Sequence, residues 1–124
     1  MRSVTLAYLA DRLDENNIAY ELNEWTGRTV PKVFTVGTYT EQPFDSQSGK
    51  QVIDFTLTAE TIDGTWSDLL TVRDRIMQLF VDHRAMLPDG TILALQYQTA
   101  SPIPSAAYNV KRLEIKIKIT EWSV

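Results

Sequence analysis

From Arg112 to Thr120 the side chains alternate without a break. Leu113, Ile115, Ile117 and Ile119 fall on one side, and Arg112, Glu114, Lys116, Lys118 and Thr120 on the other. Alternation with a period of two is the mark of a strand that buries one face and wets the other. Such a strand constrains the whole fold, because its apolar face must be laid against something of matching area. A second segment repeats the pattern, with Ile53, Phe55, Leu57 and Ala59 alternating with Asp54, Thr56, Thr58 and Glu60. Two amphipathic helices of suitable length are present to cover the joint apolar face.

The first helix is predicted over residues 4 to 16. Leu6, Leu9, Ala10 and Leu13 recur there at helical spacing and Ser3 is placed to cap it. Asn16 and Asn17 suit the left-handed or turn geometry that ends a helix. A short strand follows through Ile18, Tyr20 and Leu22, then a break at Thr26 and Gly27. A second strand is predicted from Lys32 to Glu41, rich in Val, Thr, Phe and Tyr. After the Asp63–Gly64 turn, Thr65 and Asp68 stand as a capping box opens a helix. The second helix carries Trp66, Leu69, Leu70, Ile76, Met77 and Phe80 as its apolar stripe, with Arg73 laying its stem along the rim. It is expected to run on until Pro88, with His83 and Arg84 in its last turn, where positive charge suits the dipole. Asp89 and Gly90 turn the chain into a strand from Thr91 to Gln98, and Trp122 closes the last one.

Two long polar connections stand out, residues 42 to 51 and 99 to 109. The first holds Pro43, Phe44, Asp45, Gly49 and Lys50; the second holds Pro102 and Pro104, which are expected to keep it stiff and unpaired. Loops of this length commonly meet partners. The fold class that emerges is α+β, two-layered: a mainly antiparallel five-stranded sheet with both helices on one face, in the order α-β-β-β-α-β-β. Residues 1–124 form a single domain, since 124 residues can bury a core without metal or disulfide help.

Composition narrows the function classes. With no cysteine, disulfide frameworks, thiolate nucleophiles and cysteine zinc sites are excluded, and a reducing compartment is expected. No apolar run approaches the length of a membrane span, and no secretory signal opens the chain. A net charge of -4 argues against a dedicated nucleic-acid binder, even though Lys111, Arg112, Lys116 and Lys118 share one strand with Glu114. His83 is the only histidine, so any triad or histidine metal centre would have to be built on it. Its neighbour Asp82 does not face it on a helix, and no nucleophile elbow is present. Asp11 with Asp14 or Glu15 puts paired carboxylates on one helical face, an arrangement that ordinarily faces water. No calcium loop or phosphate-cradling glycine run appears. The expectation is therefore no catalytic residue, no metal and no cofactor.

Of the three tryptophans, Trp66 is expected in the core. Trp122 falls on the polar side of its strand, either covered by a loop or available to another subunit, and Trp25 fits either role.

The order of elements, the chain length, the polar hairpin loop, the proline-bearing loop before the last strand and the lysine-spiked strand through Lys116 and Lys118 together resemble the tail-terminator proteins of long-tailed bacteriophages. The resemblance is one of layout over the whole chain. It implies a non-enzymatic structural protein that caps the head-proximal end of the tail tube as a ring of six, halts tube growth and joins tail to head. The partners implied are copies of itself, the tail-tube protein and a head-tail connector protein, with no membrane and no sequence-specific nucleic acid. The place implied is the virion tail, and the host cytoplasm during assembly. Head-tail joining proteins share the layout and do neighbouring work. The residues expected at such an interface are Phe44, Asp45, Lys50, Asp54, Glu60, Arg112, Lys116, Lys118 and Trp122, although the charges among them would equally serve to balance one another across adjacent strands of one subunit. From a different class, a small-ligand module or hydrolase would use a pocket between the second helix and the sheet. A transcription-related adaptor is disfavoured by the acidic balance.

Overall fold

In chain order the elements are α1 (Ser3–Glu15), β1 (Tyr20–Leu22), β2 (Phe34–Glu41), β3 (Lys50–Ile62), α2 (Trp66–Phe80), β4 (His83–Met86), β5 (Ile92–Ile103) and β6 (Val110–Trp122). The computed structural model describes residues 1–27 and 29–123. The six strands form one curled mixed sheet in the order β1-β2-β3-β6-β5-β4. The two alternating segments are its centre: β3 and β6 pair antiparallel from Lys50↔Trp122 to Ile62↔Val110. Only β1 and β2 run parallel, over Tyr20↔Thr35 to Leu22↔Gly37.

In-register partners share a face, so Ile53, Phe55, Leu57 and Ala59 of β3 lie beside Ile119, Ile117, Ile115 and Leu113 of β6. Leu93 and Leu95 of β5 extend this inner face. Leu9 and Leu13 of α1 and Leu69, Val72, Ile76 and Phe80 of α2 fill the same cluster. Gly37 sits where a side chain could not: a Cβ there would come within 2.7 Å of both the Phe55 and Tyr20 rings. Burial beside Phe55 pushes the Tyr20 phenol up to about 12.

Four sequence expectations are corrected. The sheet has six strands, not five, because α2 stops at Phe80 and His83–Met86 forms an edge strand instead of a last helical turn. The Leu87–Thr91 turn explains this. Leu87 donates to the Thr91 carbonyl at 2.8 Å, and Gly90 supplies a φ of 91°, closing a hairpin that pairs Met86 with Ile92 and His83 with Leu95. The order is therefore α-β-β-β-α-β-β-β.

The expected 99–109 loop is short. β5 continues through Thr99 to Ile103 after a bulge between Tyr97 and Thr99, and Pro102 stands opposite Leu113. Beyond Leu95 nothing pairs with the far side of β5 among the described residues, so a proline without an N–H costs that edge no hydrogen bond. Likewise Lys50 belongs to β3 and not to the loop before it.

Ser3 is not the cap of α1. It lies inside the helix, and the N-cap is Arg2, which makes no side-chain capping bond. The carboxylate comes from the other end of the chain: Glu121 accepts the Arg2 backbone N–H at 3.0 Å and the Thr5 hydroxyl. At α2, by contrast, the predicted capping box forms in full between Thr65 and Asp68. Its bonds hold the Asp68 carboxyl below the usual carboxylate range, the Thr65 backbone N–H first among the causes.

Candidate interaction surface

Both helices lie on the inner face, so among the described residues no helix or strand covers the outer face of the sheet. Register places its side chains in rows. At one end Met86, Ile92, Trp122 and Lys50 run side by side across β4, β5, β6 and β3. The middle rows set Gln96, Lys118, Asp54 and Thr40 together, then Thr99, Lys116, Thr56 and Thr38. At the far end stand Ile103, Arg112, Glu60 and Phe34. Threonine favours the extended pleat and tolerates water, which is why this face holds its strands without a covering layer.

Seven of the nine residues expected at an interface therefore meet on this face: Lys50, Asp54, Glu60, Arg112, Lys116, Lys118 and Trp122. Some charges are already matched within the chain. Arg112 Nε lies 3.2 Å from Glu60, and Lys116 Nζ lies 3.5 Å from Glu114. Asp54 accepts a hydrogen bond from Gln42 Nε2 at 3.2 Å. Lys50 and Lys118 have no carboxylate within ion-pair distance among the described residues. Trp122 is partly covered but remains on the polar face.

Phe44 and Asp45 lie off the sheet, in the turn that leads into Lys50. Asp45 accepts from Ser48 Oγ at 2.8 Å and from the Gln47 backbone N–H at 3.0 Å. These bonds, the Ser48 hydroxyl foremost, hold its carboxyl below the usual range. Gly49, at φ 71°, donates back to the Asp45 carbonyl, and Ser123 ties the turn to the chain end through the Gly49 carbonyl at 3.0 Å. The turn is thus built to hold one shape, with the exposed Phe44 ring on its outside.

The Phe34 end carries a feature the sequence left open. Trp25 leans over Phe34, ring centroids 5.2 Å apart, and these two with Val36, Thr58 and Arg112 line a shallow groove of about 340 Å³. Glu21 sets the loop that carries Trp25. Its carboxylate accepts from Thr26 Oγ1 at 2.6 Å and from the backbone N–H groups of Thr26 and Gly27 at 3.0 and 3.2 Å. The Thr26 hydroxyl is the main cause of its lowered pKa.

Trp66 corrects another expectation. It is 41% exposed, as is much of Leu70, while Val72, absent from the predicted stripe, is buried. The predicted stripe merged two adjacent faces of α2.

His83 is also relocated. On β4 it points to the inner side, where its Nε2 meets Tyr8 Oη at 2.5 Å and its Nδ1 lies 3.5 Å from Arg12 Nη2 of α1. Arg12 can only donate, so Nδ1 accepts and the proton resides on Nε2. Both ring nitrogens are engaged, and the group ties the edge strand to α1. Desolvation first, and the Arg12 charge second, push the imidazole pKa below 6.5. The folded state thus resists protonation: its stability is intact above pH 6.5 and falls as the pH drops below it. Denaturant midpoints should decline slightly from pH 7 to pH 5. His83→Gln should flatten that interval, and an unchanged slope would remove His83 as its cause.

The interval between α2 and the sheet, where a ligand pocket was a candidate, is filled by Leu69, Ile76 and Phe80. The nearest opening, about 350 Å³, lies at the rim of α2 between Arg75, Asp68, Lys32 and Asn17. Among the described residues no cluster of three or more potential metal ligands occurs, and no helix is long and apolar enough to cross a membrane. Compared with known proteins, the chain matches no family model and no curated protein.

Proposed function

We propose that this chain is a structural assembly protein that caps the head-proximal end of a long-tailed bacteriophage tail tube as a ring, stops its growth and offers the surface to which the head attaches. It acts by shape and complementary charge, in the virion tail after assembly in the host cytoplasm. Head-tail joining is the neighbouring role on the same layout. The observation that carries the reading is the outer face, a span of four long strands that no helix or strand covers among the described residues, flanked on each side by a stretch of strand edge unpaired among them. The β2 stretch Thr38–Glu41 carries no proline and no bulge to blunt it. Copies of the chain, the tube protein and the connector are the partners that fit it.

The test mixes purified protein with tail-tube subunits and images the product by negative stain. Annular particles seated on tubes of limited length are expected; tubes growing without limit in its presence would refute the reading. Lys116→Glu reverses a charge on the bare face at a 57% exposed side chain, so it should leave the melting temperature within about 2 °C while weakening capping severalfold. Unimpaired capping would remove this face from the contact.

A further inference from the structure

The two open edges of the sheet are complementary to each other. On one side β4 covers β5 only from Ile92 to Leu95, which leaves Gln96–Ile103 with no strand beyond it among the described residues. On the other side β1 covers β2 only from Thr35 to Gly37, which leaves Thr38–Glu41 open. From β2 through β3 and β6 to β5 every neighbour is antiparallel, so β2 and β5 run in opposite senses. A β2 edge brought beside a β5 edge thus pairs antiparallel, and both copies keep their helices on the same side of the joined sheet.

The helix layer repeats the match. The inner face of α2 is Leu69, Val72, Ile76 and Phe80, and a second flank carries Trp66, Leu70, Met77 and Val81, of which Val81 is 62% exposed. A helix on a single sheet needs one apolar stripe, not two. The polar flank faces the β1 side, since Asp68 pairs with Lys32 at 3.2 Å and Arg75 donates to the Asn16 carbonyl at 3.2 Å. The spare apolar flank therefore overlooks the open β5 edge. At the opposite side of the molecule, Leu6, Ala10, Tyr20 and Leu22 line a groove of about 430 Å³ between α1 and β1.

We propose that copies of this chain join head to tail, the Gln96–Ile103 edge of one receiving the Thr38–Glu41 edge of the next while Trp66 and Leu70 pack towards the α1–β1 groove of that neighbour. The occupant of both surfaces is a second copy. The inference supplies an interface for the ring and rests on the ring reading only for closure of the series. Keeping the two outer faces continuous fixes the parity of the register, and β1 of the incoming copy must clear Ile103. The pairing that satisfies both sets Thr40 of one copy opposite Ser101 of the other, each on the bare face. In that register Tyr39 stands opposite Pro102, whose missing N–H leaves that pair a single backbone bond, and the bulge between Tyr97 and Thr99 lies outside the paired stretch.

Because the chain has no cysteine, single cysteines report the contact cleanly. Thr40→Cys and Ser101→Cys proteins, mixed and mildly oxidised, should give a disulfide-linked dimer that neither gives alone. A chain carrying both should give a ladder. Trp66→Glu, at an exposed site and checked for folding by circular dichroism, should cut the mixed yield about tenfold or more. No dimer from the mixture would overturn the proposal, as would Ser101→Cys pairing with itself as readily as with its partner, which marks a two-fold contact. An unchanged yield with Trp66→Glu would overturn the helix packing. The ladder is read without any tail component: a ladder with no tube capping leaves the interface and removes the tail reading, and capping without a ladder does the reverse.

Discussion

Phe55→Asp should abolish cooperative folding. Phe55 is 2% exposed at the middle of β3, beside Ile117 and Tyr39 in register and against the Tyr20 ring, whose centroid is 6.4 Å away. Removing a phenyl group from such a site costs about 3–5 kcal/mol, and an unpaired carboxylate left in its place adds several more. A domain of this size has a total stability of about 5–15 kcal/mol. The variant should lose its near-ultraviolet dichroism and any sigmoidal urea transition, whereas Asp54→Asn, one residue away on the wet face, should retain both. A folded Phe55→Asp protein would mean that the strand faces are assigned the wrong way round.

That pair of neighbours shows which part of the fold was legible in the chain. Where a segment alternates strictly, as in 53–60 and 112–120, one register error would move every apolar side chain into water, so the facing is strongly specified. The capping box at Thr65 and Asp68 and the Asp63 turn, whose φ is 63°, were legible for the same reason: their chemistry is local. The end of α2 was not. Residues 81–86 carry no breaker, and their strand state depends on a partner, Ile92–Leu95, which lies beyond the turn. The alternation of His83 and Ala85 inward with Arg84 and Met86 outward was the available signal, and four residues are too few to weigh against a helical run already under way. Pro102 misled for the opposite reason, since proline excludes a central strand but not an edge.

The interaction surface was legible as a face but not as a boundary. Alternation alone put Asp54, Glu60, Arg112, Lys116, Lys118 and Trp122 on one side; the register confirms that side and adds Lys50, which the sequence left in the loop. Sequence could not show which of these charges are spent within the chain, because Glu60 and Arg112 are 52 positions apart (112 minus 60) until β3 and β6 align them. The open edges were equally hidden, being a property of how far β1 and β4 extend. Trp66 and Leu70 recur at helical spacing like core residues; they fall on a flank beside the face formed by Leu69, Val72, Ile76 and Phe80, which is the one the sheet buries.

Glu121 carries the second large effect, and its signal was present but unread. Continuing the alternation from Ile119 puts position 121 on the inner face, opposite Gln51 and Leu93, where a carboxylate is 3% exposed and must be compensated. The compensation is the start of α1, whose own sequence brings no capping side chain: one carboxylate oxygen takes the Arg2 N–H and the Thr5 hydroxyl, and its charge faces the positive end of the helix dipole. The last strand thereby anchors the first helix. Glu121→Leu would leave the buried Thr5 hydroxyl and the part-buried Arg2 N–H without this acceptor and should cost about 3 kcal/mol, lowering the melting temperature by about 12 °C. Glu121→Gln keeps a neutral acceptor in place and loses only the charge, so about 1 kcal/mol is expected. Hydrogen exchange separates this from general destabilisation. In Glu121→Leu the amides of the first turn of α1 should exchange at a rate out of proportion to those of β3 and β6, since helix ends open by local fraying while the central strands open only with the whole domain. Uniform acceleration across all elements would mean that Glu121 supports the sheet and not the helix start.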